Sequence, residues 1–272
     1  MTACEKEISF DYDEVEPLVM IEGRVTNEGT EVLISRTRSV YDPVKPKGLR
    51  GAEVVVSTDA EQERLTYDEA TGYYRSPLKG RPGTTYRLTV ELEGRHYEAT
   101  SLMYPPAPLT GAEFRWQSIN QERMLAYELW AKDPQPDVRN YYWYRVDRTS
   151  LHPHFANRTT REAYRWNVFD DRGCPPGLVM RDVLCMSERT AEDDEKEDWD
   201  DILYEGDTVT LRLMVIDRAT YDYLHSLRTG QRNGANPAGN ISGDNCLGYF
   251  TAASVTHADT LVFSYDAIRP SR

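Results

Sequence analysis

The sequence predicts a mainly all-β protein made of two β-sandwich-like domains, and three observations lead to that class. Short extended runs recur at roughly 8–12-residue spacing between turn formers, as they do in sandwiches and barrels. Helical periodicity is confined to one segment, residues 217–227. Tyrosine outnumbers phenylalanine 18 to 6, a bias that suits strands with one wet face and surfaces that touch ligands or partners.

The first domain is expected at residues 17–103, an immunoglobulin- or transthyretin-like sandwich. Its strands are residues 19–25, 31–35 and 52–57, each bounded by turn formers such as Asn27, Gly29 or Pro43 to Gly48. Residues 72–76 follow, then 85–92 and 96–101, which the tight turn Glu93-Gly94-Arg95 joins into a hairpin. The period of two in 85–92 places Tyr86, Leu88, Val90 and Leu92 on one core face. Residues 104–108 carry Pro105, Pro106 and Pro108, which remove ladder donors, so this stretch reads as an interdomain linker.

Residues 109–272 are expected to form a larger β domain with one short helix. Strands are predicted at 112–116, 124–130, 141–146, 164–169, 208–216, 247–255 and 260–264. The helix spans about 217–229, with Asp217 as N-cap and its end at Gly230. Residues 233–246, rich in Gly and Asn, form a long loop of the kind that carries recognition on rigid scaffolds.

Composition narrows the function classes. A formal charge of -13 repels phosphate backbones, so nucleic acid is not an expected partner. No apolar stretch approaches the length that crosses a bilayer. His152 and His154 lack a third ligand nearby, so no metal and no cofactor is expected. The acidic run 192–201 lacks the glycine and spacing of an EF-hand; it reads as a solvated loop, with calcium binding left open. No complete catalytic signature is present, and no catalytic residue is proposed.

Two groups are candidate ligand or partner contacts. Trp130, Tyr142, Tyr144 and Trp166 lie on aromatic strands whose rings must occupy both faces, one as core and the other as core or as a stacking platform. Asn236, Asn240 and Asn245 lie in the 233–246 loop. The cysteines are Cys4, Cys174, Cys185 and Cys246, with no C-x-x-C spacing. Cys174 and Cys185 close the shortest loop and are a possible disulfide. Thr2-Ala3-Cys4 fits the end of a lipoprotein box without its apolar run, so Cys4 is expected to carry lipid in the native protein, with Met1 standing in for a leader already removed and residues 1–16 forming a polar leash.

Taken with Cys4, the stretches 19–27, 51–54, 72–76 and 82–90, followed by Tyr221-Asp222-Tyr223-Leu224, 236–243 and 247–252, resemble one family in order and spacing. It is the Bacteroidota outer-membrane lipoprotein family catalogued as a domain of unknown function, DUF4249. The resemblance implies a lipid-anchored protein of the outer membrane, facing the cell exterior and accessory to a TonB-dependent transporter of the starch-utilisation type. The expected role is non-enzymatic: capture or uptake of a nutrient, peptide or glycan. Alternatives are a hydrolase using acidic residues of the C-terminal domain and a structural, adhesin-type assembly subunit.

Overall fold

The computed structural model describes residues 17–37, 48–119, 122–150, 165–172, 174, 177–185, 203–229 and 239–268, with 119, 122, 123 and 178–185 described through their backbone. In chain order the elements are β1 (Val19–Thr26), β2 (Thr30–Arg36), β3 (Glu53–Ser57), β4 (Gln62–Arg64), β5 (Thr66–Asp68), β6 (Tyr73–Ser76), β7 (Thr85–Leu92), β8 (Arg95–Leu102) and β9 (Leu109–Ile119). They continue with β10 (Glu122–Lys132), β11 (Tyr141–Thr149), β12 (Arg165–Asp170), β13 (Gly177–Cys185), β14 (Thr208–Ile216), α1 (Arg218–Thr229), β15 (Cys246–His257) and β16 (Leu261–Val262). The protein is all-β and sandwich-like, as its alternating runs predict.

A nine-stranded sheet forms the centre, in the order β12-β11-β14-β15-β1-β2-β6-β5 with β16 attached to β14. One of its faces is covered by two separate sheets. The four-stranded sheet β4-β3-β7-β8 closes over the β1, β2 and β15 region, burying Ile21, Val32, Val54, Leu88, Val90 and Phe250 together. The three-stranded sheet β13-β10-β9 closes over β11 and β14, burying Trp116, Leu125, Tyr127, Tyr142, Leu211 and Leu213. Strict alternation drives this: in β1 the residues Val19, Ile21, Gly23 and Val25 are buried and the intervening ones are not.

Among the described residues, the other face is covered only in part. Helix α1 starts where its N-cap predicts, the Thr220 amide donating to Asp217 Oδ1 at 2.8 Å. Tyr223 and Leu224 pack there against Trp143, Met214, Ile216 and Tyr249.

The linker reading of 104–108 needs correction. The chain does pass there from one covering sheet to the other, but no separate bodies result, because β15 from the C-terminal half pairs in parallel with β1 along its whole length, Val19 opposite Cys246 through Thr26 opposite Ala253. Phe250 and Ala252 therefore belong to the core of the N-terminal half. Gly248 makes the seam possible: its φ is +125° and a Cβ there would stand 1.8 Å from the Ile21 carbonyl oxygen. Two sandwiches share one sheet.

The Cys174 to Cys185 bridge also fails. Cys174 is a free thiol, as is Cys246. Cys185 ends β13, whose nine residues begin at Gly177, so an extended strand puts its ends roughly 26 Å apart. Three more residues reach back at most about 11 Å, and a disulfide needs Cα atoms within about 7 Å.

Candidate functional site

The aromatic candidates do not assemble. Tyr142 and Tyr144 are buried in the core between β11 and the three-stranded sheet, Tyr142 stacking on Phe169 with ring centroids 5.0 Å apart. They are packing residues, not contacts for a ligand, because their parity on β11 turns them toward that sheet. Trp130 is half-buried on β10, on the side opposite its core residues Leu129 and Ala131. Trp166 lies on the other side of the molecule, its edge toward Trp143 at 6.4 Å and the Arg228 guanidinium 5.4 Å above its ring.

The loop asparagines divide as well. Asn240 is a brace: its Nδ2 donates to the Phe250 carbonyl at 2.7 Å and its Oδ1 accepts from the Phe250 amide at 2.8 Å. Asn245, at φ +53°, accepts from the Val19 amide through its carbonyl at 3.0 Å and lines a second cleft, of about 480 Å³, with His96, Arg95 and Asp244. Asn236, Cys4 and the acidic run 192–201 lie outside the described residues.

What the structure does assemble is a cleft of about 530 Å³ on the partly covered face of the central sheet, lined by four arginines, Arg24, Arg75, Arg145 and Arg212, with Glu31 and Tyr73 among them. Each arginine comes from a different strand: β1, β6, β11 and β14. Period two puts them on one face. In register, Arg24 stands opposite Glu31, Glu31 opposite Arg75, and Arg145 opposite Arg212.

Three of the guanidiniums have carboxylate partners. Arg24 is ion-paired with Glu31. Arg75 reaches Glu31 at 3.3 Å and Asp68 at 3.0 Å. Arg212 donates through Nε to Asp147 Oδ2 at 2.7 Å. Arg145 differs: its Nε is buried with no hydrogen-bond partner among the described residues, and its nearest ring is Trp143, centred 6.0 Å away. Arg24 lies over the same ring at 5.6 Å.

Electrostatics follow this layout. Burial, then the neighbouring Arg24 and Arg212 charges, push the Arg145 pKa down, against the pull of Asp147. Burial raises the carboxyl of Glu22, and the charges of Arg24 and Arg145 only partly oppose it. Burial also works against ionised Glu31, yet Arg24 and Arg75 outweigh it and hold that carboxyl below its ordinary value. At the rim, Glu28 is paired with His257 of β15. The arrangement can hold an anion, while Glu31, tied to Arg24 and Arg75, is not free to serve in proton transfer.

Sequence reasoning missed this site because its arginines lie 188 positions apart along the chain at the extremes, Arg24 to Arg212. A signal did exist: Arg145 and Arg212 interrupt otherwise apolar strands predicted at 141–146 and 208–216.

Among described residues no group of three or more His, Cys, Asp or Glu is placed to hold a metal ion, and no helix is long and apolar enough to cross a membrane. The model of a family described as a domain of unknown function, DUF4249, matches residues 5–259. No curated protein matches the chain.

Proposed function

The chain belongs to the DUF4249 family, whose function is unknown; from the family resemblance, the Cys4 motif and the cleft taken together we propose a surface-exposed, lipid-anchored outer-membrane protein that captures a small ligand for a TonB-dependent transporter. The observation that carries the reading is the arginine-lined cleft of about 530 Å³, the size of a small-molecule site. Its four arginines come from four strands of one sheet, so their spacing is set by the ladder, while the turn residues Glu28, Gly29 and Thr71 complete the lining.

Capture is favoured over hydrolysis by the state of the carboxylates. Glu31, the carboxylate that Arg24 and Arg75 share, is kept ionised by them and so cannot deliver a proton near neutral pH. Thr2-Ala3-Cys4 and the polar stretch 5–16 support the anchor. Peptide and glycan both remain suitable cargo for a polar cleft.

Gentle detergent extraction of the native protein from outer membranes tests the reading. A TonB-dependent transporter should co-purify, and mass spectrometry should find lipid on Cys4. Recovery of the protein alone, with Cys4 unmodified, would overturn it.

A further inference from the structure

The cleft contains a charge arrangement that strand pairing alone does not explain. Arg145 and Arg212 are directly opposite one another on adjacent antiparallel strands, and their side chains share a face. Like charges in that position repel. Arg212 is relieved by Asp147, Arg24 by Glu31 and Arg75 by Glu31 and Asp68. No such pairing relieves Arg145, whose Nε is buried without a hydrogen-bond partner among the described residues. A cation whose Nε is buried without a partner and which faces another cation is costly unless an anion joins it.

From this we infer that the cleft binds a single carboxylate of its ligand, with the Arg145 guanidinium as the principal partner and Arg212 beside it. The inference rests on the reading of the cleft as a capture site and names the chemistry it takes. One carboxylate fits better than phosphate or a polyanion for two reasons. Among the described residues only one of the four lining arginines lacks an acidic partner, and Glu28 and Glu31 also line the cleft and would repel further negative charge. The chain's net charge of -13 also opposes the approach of a polyanion. The planar fork of arginine matches a carboxylate with two parallel hydrogen bonds. Tyr73, Thr26 and Thr71 supply neutral lining for the rest of the ligand.

Such a carboxylate has two sources, the C-terminus of a peptide or a uronic acid of a glycan. Isothermal titration of the full chain with trialanine, trialanine amide, trigalacturonic acid and its methyl ester separates them. At least one acid should bind, and its neutral counterpart should bind about tenfold or more weakly. The pair that shows the preference names the source. Arg145→Met should lose the same factor for that acid while melting no lower than the unaltered protein. Equal binding of acid and neutral forms, no binding of any of the four, or undiminished binding by Arg145→Met overturns the carboxylate inference. None of these decides the capture reading, which stands or falls with transporter co-purification. Should Arg145→Met not fold, the comparison of acid with neutral probe on the unaltered protein still decides.

Discussion

Arg145 and Arg148 sit three positions apart on β11 and end up in opposite circumstances. Arg148 turns toward the core beneath the three-stranded sheet, where its Nε donates to Asp207 Oδ2 at 2.9 Å and both side chains are almost fully buried. Asp207 is further satisfied by the Tyr204 amide at 3.0 Å and the Ser150 hydroxyl at 2.5 Å. The group ties β11 to the chain entering β14. Arg145, on the other face, meets a second arginine and a cleft. The same residue type on the same strand is thus a structural clasp on one side and a vacant charge on the other. A buried cation is evidence of function only after its partners have been counted.

That contrast can be broken in three ways. The largest effect should come from Arg148→Met, which strands Asp207 in the core and should cost about 3–5 kcal/mol. Urea denaturation reads it; a loss below about 1 kcal/mol would mean the clasp is not needed.

Glu31→Gln should have a middling and pH-dependent effect. It removes the carboxylate shared by Arg24 and Arg75, at a cost of about 1–3 kcal/mol near neutral pH. Although burial raises the Glu31 carboxyl, the two guanidiniums lower it further, to a net value below 4.5. A depressed native value contributes stability that is present above the unfolded value and lost as pH falls through the native one. The gap between the native protein and Glu31→Gln should therefore shrink from about pH 4.5 downward. A gap unchanged between about pH 7 and about pH 3 would show that the pairing does not stabilise the fold.

Arg145→Met should have the smallest effect on stability. Relief of the like-charge pair with Arg212 and retention of the aliphatic bulk should leave the free protein unchanged or raise its stability by up to about 1 kcal/mol. Thermal melting without ligand measures it, and a loss above about 2 kcal/mol would make Arg145 a clasp like Arg148 and erase the difference between the two faces.

Much of the fold is legible in the sequence, for a local reason. Alternation marks β1, β2, β7, β8, β10, β11 and β14 nearly where they lie, and Asp217 marks the start of α1 through a contact three residues long. The short strands β4 and β5 and the strand β13 escape, the first two because three residues carry too little period. In β13 the segment GLVMRDVLC reads as the inside of a cysteine loop when it is in fact the edge of a sheet. The candidate site was less legible. Tyr142 and Tyr144 are aromatics whose face alternation alone cannot assign, and Asn240 serves β15 and not a ligand.

By itself, then, the sequence determined most of the longer strands, the alternation along them and the helix α1, because these depend on backbone geometry and neighbours a few positions away. It also determined the family, by the order of its motifs. Only the tertiary structure decided that β15 returns to pair with β1, merging two expected domains into one sheet. It alone brought Arg24, Arg145 and Arg212 to a common face. Strand order is chosen by which faces can be buried together at long sequence separation, and that choice leaves no local trace in the chain.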